Sequence, residues 1–278
     1  MPYDPTIYLG AAAHYAFGRP PYSLELGAVL TAEVGLDGAG RLLDVGCGPG
    51  VLTLELAGRF EEAIGLDPDA EMLAEGERRA AEAGLSSVRW VRALAEDIPR
   101  LGLGRFRLVT FGQSFHWTEC EPVAEAVYDI LEPGGALALI DHESHGEGRP
   151  APAGPGEPPI PHEEIWELIC AYLGPRRRAG QGFSPELPEG RWSGEALLRT
   201  RFGRPRGVLA PGRPDIVQDA DGVLSNYHSM SFAAPHLFGD RLEAFQRGMR
   251  ALLAKHSRSG LFWDWPGDTK IDLAFRRE

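Results

Sequence analysis

The chain has 278 residues, 43% hydrophobic and 24% charged, proportions of a folded protein rather than a disordered one. Acidic residues outnumber basic ones 40 to 28, and the formal charge of −12 repels phosphate backbones, which argues against general nucleic-acid binding. Three cysteines without a CxxC pair speak against a disulfide framework or a cysteine zinc site; no apolar run approaches the ~20 residues that span a bilayer, and the opening residues show no export signal. A cytoplasmic protein is expected. Arginine dominates the basic set, with Lys255 and Lys270 the only lysines, which reads as GC-rich codon usage.

The first half alternates strands and helices. An amphipathic helix is predicted over 23–34 with Ser23 as N-cap, followed by a strand at 41–45 that ends in glycines. Then come a helix over 51–59, a strand at 63–67, an Ala/Glu/Arg-rich helix over 70–83 stopped by Gly84, and a strand at 87–92. A strand at 106–111, a helix over 122–131 and a strand at 136–141 complete this half. Short connections between such units mean a parallel sheet covered on both faces.

The composition then changes. Residues 146–161 hold four glycines and six prolines, so they form a linker or a loop over a site. Helices are predicted over 163–173, 194–200, 219–232 and 240–256, with strands at 207–209 and 269–275. The basic run 176–178 reads as a solvated face, and no internal repeat is visible.

Asp44-Val-Gly-Cys-Gly-Pro-Gly50 joins the first predicted strand to the next helix, where glycines let backbone approach a ligand and the helix start offers free N–H groups. A phosphate-binding Walker loop needs a lysine that this stretch lacks. A dinucleotide fingerprint needs a third glycine where Val51 stands, and Asp44 would oppose a pyrophosphate. An acid at the strand end instead suits the cationic methionyl end of S-adenosylmethionine.

The stretch Leu43-Asp-Val-Gly-Cys-Gly-Pro-Gly50 resembles motif I of class I S-adenosylmethionine-dependent methyltransferases. This resemblance implies a Rossmann-like α/β fold, a seven-stranded mostly parallel sheet with its last strand antiparallel, plus a cap insertion. It places Asp44, Gly46, Cys47 and Gly48 at the cofactor, Asp67 on the ribose hydroxyls, and Pro68 and Met72 near the adenine. Ala95 and Glu96 resemble the segment facing the adenine amino group; many relatives carry Asp where this chain has Leu94, which leaves that contact to backbone groups, Glu96 or Asp97. Phe111-Gly-Gln-Ser-Phe-His-Trp-Thr118 is similar to the Gln-x-x-His-Trp segment of the small-molecule subgroup that includes trans-aconitate methyltransferase. That puts Gln113 at the cofactor, His116 at the methyl-transfer point and Trp117 at the substrate. Tyr15-Ala-Phe-Gly-Arg-Pro-Pro-Tyr22 resembles the subgroup's N-terminal arm, with Tyr15 and Arg19 on the cofactor and His14 and Tyr22 toward substrate. Tyr227, His228 and Trp263 are expected in the substrate pocket, with His228 beside His116 as a catalytic candidate.

The expected organisation is an arm and helix covering the site (1–35), a cofactor-binding core (36–141), a loop and helical substrate cap (142–235), and a C-terminal helix and strand completing the core (236–278). The implied enzyme moves a methyl group from S-adenosylmethionine to an O, N or C nucleophile of a small metabolite, as in natural-product tailoring, leaving S-adenosylhomocysteine. A monomer or homodimer acting on a small molecule is expected, with no nucleic acid or membrane partner and no metal. His142, Glu143 and His145 have metal-like spacing but no identifiable third ligand. Two other classes compete: a protein of this fold with non-methylating chemistry such as cyclisation, and a protein or RNA methyltransferase. The latter's (Asn/Asp)-Pro-Pro-(Tyr/Phe) signature for protein targets is replaced here by Gln113-Ser-Phe-His116.

Overall fold

A computed structural model describes residues 4–142, 154–180, 182–183 and 194–277. Its elements run α1 (Ala12–Gly18), α2 (Leu26–Val34), β1 (Arg41–Val45), α3 (Val51–Leu56), β2 (Glu62–Asp67), α4 (Ala70–Glu82), β3 (Val88–Arg92), β4 (Phe106–Gly112), α5 (Cys120–Ile130) and β5 (Leu131–His142). Then follow α6 (His162–Leu173), a two-residue hairpin of β6 (Arg178–Ala179) and β7 (Gly182–Phe183), β8 (Arg206–Ala210), β9 (Val217–Asp219), α7 (Ala220–His228), α8 (Leu242–His256), β10 (Leu261–Trp263) and β11 (Thr269–Phe275).

Seven strands form one sheet in the order β3-β2-β1-β4-β5-β11-β8. Neighbours from β3 to β5 pair parallel, and β11 runs antiparallel between β5 and β8. Successive side chains of a strand point to opposite faces, so the apolar run of β1 feeds two cores. Leu43 packs with Ile64, Val109, Leu137 and α5 on one face; Leu42 packs with Leu108, Ile271 and α2 on the other. Strand order reverses beside β1, between β2 and β4, which opens a crevice at the carboxyl ends of these strands.

A third apolar cluster lies apart from the sheet. It joins Ile165, Ile169 and Leu173 of α6, Val223 and Tyr227 of α7, and Phe245, Met249 and Leu253 of α8. Within 236–278, β11 pairs into the sheet while α8 packs on α6 and α7. Its apolar stripe needs a partner face, and α6 and α7 supply one. The chain also starts α2 at Leu26, with Glu25 rather than Ser23 at the N-cap position. Ser23 is buried, its backbone N–H donating to Thr269 Oγ1 at 2.8 Å. Arg176 and Arg177 are exposed, as a solvated face requires, while the Arg177 guanidinium also sits 4.6 Å from the Phe232 ring centre and Arg178 lies half-buried in β6. Among the described residues no helix is long and apolar enough to cross a membrane.

Candidate active site

The turn after β1 is built on positive φ at Gly46 (63°), Gly48 (53°) and Gly50 (75°), a region that side chains disfavour. A Cβ on Gly46 would lie 2.5 Å from Ser114 Cβ, so the loop and the segment after β4 cross at the distance only glycine allows. Gly46 and Cys47 N–H groups both donate to Leu66 O, at 2.7 and 3.1 Å. Gly48 N–H donates to Asp67 Oδ2 at 2.8 Å, and Asp69 N–H to Asp67 Oδ1 at 2.9 Å. From α4, Arg79 Nη1 donates to Pro49 O at 2.7 Å. The loop is therefore held before any ligand arrives.

A cavity of 290 Å³ opens over this turn. Gly46, Gly48, Asp67, Pro68 and Met72 form one wall, Leu94, Ala95 and Glu96 a second, and Gln113, Ser114, Trp117 and Thr118 a third; Tyr8 and Tyr15 of the N-terminal segment close it. A smaller cleft of 30 Å³ shares Tyr15, Gly46 and Gln113 with it and adds Arg19, Tyr22, Asp44, Cys47 and His142. All twelve residues expected at the cofactor thus line one or other space.

The two acids at the strand ends are buried, and burial pushes both carboxyls up to about 6. Thr53 Oγ1 donates to Asp44 Oδ2 at 2.6 Å and Thr110 Oγ1 to Oδ1 at 2.8 Å, so Asp44 is a fixed charge at the cleft floor with both oxygens engaged. Asp67 uses two hydrogen bonds of the roughly four that a carboxylate accepts, and the remainder face the cavity. Arg19 lies 4.8 Å over the Tyr15 ring and donates weakly to Gln113 Oε1 at 3.5 Å, while its buried Nε has no hydrogen-bond partner among the described residues. Gln113, at φ 53°, is the only described non-glycine residue with positive φ; its N–H is held by Ile140 O at 3.0 Å. Such strain persists where the surroundings over-determine it.

Residues 42–135 match the family described as Methyltransferase domain. Over 141 residues, 49% of this chain and 47% of the relative, the sequence is 32% identical to trans-aconitate 2-methyltransferase of Mycobacterium tuberculosis. Over 130 residues, 46% of this chain and 44% of the relative, it is 31% identical to a Saccharomyces cerevisiae protein named as a probable S-adenosylmethionine-dependent methyltransferase, CRG1. The match to a methyltransferase domain covers about a third of the chain, and the likeness to these methyltransferases about half of it. The chain spans less than half the length of these curated relatives. A solved Anaeromyxobacter dehalogenans structure, described as a candidate type II methyltransferase, matches with TM-score 0.53 at 21% identity over 93% of this chain and 97% of that one, a likeness of fold.

The site fits S-adenosylmethionine, the cofactor named for the Saccharomyces cerevisiae relative: Asp67 keeps acceptor capacity toward the cavity, and Asp44 and Arg19 give the smaller cleft one charge of each sign. The catalytic expectations fare differently. His116 lines neither cavity, and burial together with the Arg19 charge pushes its imidazole down to about 4, too weakly basic for the near-neutral proton acceptor expected of it. His228 is fully buried in the cap, its Nδ1–H donating to Ala233 O at 2.9 Å and its ring edge-on to Phe238 and Phe245, so it is a packed core histidine and not a catalytic one. Tyr227 is buried in the same cluster with its hydroxyl 2.8 Å from His162 Nδ1. Trp263 pairs β10 to β9 and donates to Pro214 O at 2.8 Å. Neither lines a cavity; both serve cap packing instead of a substrate pocket. His14 binds Ser225 Oγ at 3.1 Å in the α1–α7 seam, also outside both cavities. Tyr22 lines the smaller cleft and stacks on His142 at 4.9 Å, and Trp117 lines the main one. Glu143 and His145 lie outside the described residues; among the described residues no group of three His, Cys, Asp or Glu could hold a metal ion.

Tyr8 is the residue that sequence reasoning missed. It lies edge-on to both Tyr15 and Trp117, with ring centres 6.4 Å apart in each case, and its neighbours Asp4, Pro5 and Ile7 line the same wall. The available signal was the pair of aromatics Tyr8 and Tyr15 in one N-terminal segment; Tyr8 lies in the turn before α1, so no helical period marked it.

Proposed function

We propose that this chain methylates a carboxylate oxygen of a small organic acid. The observation that carries the reading is the placement of the histidine expected at the methyl-transfer point: His116 lines neither cavity and is held at about 4, while the Tyr8 hydroxyl at the main cavity is pushed well above its ordinary value by burial. A hydroxyl acceptor must lose a proton, whereas a carboxylate is already ionised at neutral pH and needs none. The likeness to a trans-aconitate 2-methyltransferase, whose name specifies a carboxylic acid, supports the same class.

S-adenosylmethionine supplies the transferable methyl group when bound. Asp67 would accept from the ribose hydroxyls, and the Gly46–Gly48 turn would hold the cofactor from the cavity wall. Asp44 sets a negative field for the amino group, and Arg19, steadied by Gln113, holds the carboxylate of the methionyl tail through its unpaired donor. Tyr8, Tyr15 and Trp117 keep water from the reacting centre. Alignment of this kind supplies ~7–11 kcal/mol of barrier lowering, so the chemistry does not depend on a base. Residues of the cap lobe back the arm: α7 packs on α1, where Gly18 leaves no room for a side chain against Ser225 and Asn226.

The test is incubation with S-adenosylmethionine and matched panels of small organic acids and the corresponding alcohols, following S-adenosylhomocysteine and methyl product by mass spectrometry. Methyl esters from acids, and no ethers from alcohols, are expected. Ethers without esters would overturn the acceptor class, and consumption of a substrate with the donor left intact would favour a non-methylating reaction.

A further inference from the structure

We infer that Trp90, on the edge strand β3 and lining neither cavity, is a positioning residue for the cofactor: its indole sets the height of the glycine turn after β1. The inference deepens the cofactor reading and rests on it.

Glycines from three elements make room for this one ring. Trp90 pairs across the strands with Gly65 of β2, where a Cβ would lie 2.6 Å from Trp90 Cε3 and Cζ3. On α4, a Cβ at Gly76 would lie 2.7 Å from Cη2, and on the turn, a Cβ at Gly50 would lie 2.4 Å from the same atom. Packed atoms do not approach that closely, so the indole fills the space of a side chain at all three positions. Glycine inside a strand or a helix weakens the element that carries it, and here both such glycines face one ring. The outer edge of the indole, Cη2 and Cζ3, is the part wedged between α4 and Gly50.

The effect on the ligand follows from how the two halves of the turn are held. The first half is fixed from β2, with Gly46 and Cys47 N–H on Leu66 O and Gly48 N–H on Asp67 Oδ2. The second half is held otherwise. Gly50 N–H turns back to Cys47 O at 3.0 Å, Arg79 of α4 donates to Pro49 O, and the indole lies against Gly50. Arg79 supplies direction and the ring supplies bulk. A turn that sinks into a void beneath Gly50 carries Gly48 with it, and Asp67 follows through the bond it accepts from Gly48 N–H. Gly48 and Asp67 both line the main cavity, so Trp90 acts on the cofactor through them without touching it.

The probe is S-adenosylhomocysteine, titrated by calorimetry into the full chain. Trp90→Leu, which opens a void beneath Gly50, should weaken binding about tenfold. Trp90→Phe, whose shorter ring stops short of Gly50, should weaken it less, and it decides the outcome if Trp90→Leu does not fold. Leu273→Ala is the control, since Leu273 is buried in β11, three strands from β1 in the sheet. It should lower the melting temperature and leave the affinity within about twofold of wild type. With 5-fluorotryptophan incorporated, the fluorine resonance that Trp90→Phe removes should shift on saturation with the ligand. Wild-type affinity in a folded Trp90 variant, an equal loss in Leu273→Ala, or a Trp90 resonance unmoved at saturation overturns the positioning role. A wild type that binds no ligand fails differently, since it removes the cofactor reading itself.

Discussion

Asp67 braces the glycine turn through Gly48 N–H and lines the main cavity, and in the proposed function its remaining lone pairs serve the ligand. Its carboxyl and that of Asp44 are raised from 3.8 to about 6 by burial. For a carboxyl raised on folding, the folded state favours the protonated form. The contribution to stability is complete below the ordinary value and is lost as pH rises through about 6. The ligand-free protein is therefore expected to melt lower at pH 7 than at pH 4.5 on account of these two groups. Hydroxyl donors at Asp67 and an ammonium near Asp44 favour the charged forms, so cofactor affinity should fall as pH drops below about 6. Titrations in buffers of different ionisation enthalpy should register proton release near that pH. Asp67→Ala should weaken binding by about 1.5–3 kcal/mol, read by the same calorimetry. The positions of Asp44, Gly46, Gly48 and Asp67 were legible in the sequence because their chemistry is local: glycine at a strand–helix turn, and an acid at the end of the neighbouring strand. The weak basicity of His116 was not, because it comes from burial and from Arg19, nearly a hundred positions away.

At the scale of elements, the strands were readable because both faces of a parallel sheet are buried, which leaves unbroken apolar runs. The glycines beyond the turn were not. A Cβ on Gly65 would lie 2.6 Å from the Trp90 indole and one on Gly76 2.7 Å, so a strand glycine and a helix glycine both make room for one ring. Gly76 costs α4 about 1 kcal/mol of propensity relative to alanine. Gly76→Ala should nonetheless lower stability, by ~1–3 kcal/mol, because overpacking against a rigid indole outweighs the propensity gain. In a Trp90→Leu background the same substitution should cost clearly less, as contacting positions are non-additive. Equal costs in the two backgrounds, measured by denaturant melts, would show that the ring is not the cause. Short α1 and the pair β9–β10 escaped sequence reading since each is stabilised by partners distant in the chain, and the local pair β6–β7, two residues a strand, is too short to show a period. For α1 that partner is α7, some two hundred residues on.

The whole molecule comprises a sheet with two helical layers and a separately cored cap, with the arm helix α1 between the cap and the cofactor cleft. That α8 packs on α6 and α7 was not legible in the sequence, because an amphipathic helix announces an apolar stripe without naming its partner. Phe245 is fully buried and stacks on Phe238 at 4.0 Å between ring centres. Phe245→Ala should cost ~3–5 kcal/mol of cap stability. Amide exchange should rise across α6, α7 and α8 while β1, β2 and β4 keep their protection; uniform loss of protection would mean that cap and sheet unfold as one unit.

The central claim is that the turn after β1 and Asp67 on β2 together hold S-adenosylmethionine. Isothermal titration of the ligand-stripped chain with S-adenosylhomocysteine at pH 7 tests it most directly. Saturable one-to-one binding that is weakened by Asp67→Ala is the predicted result; no binding of either this product or the methyl donor would contradict it.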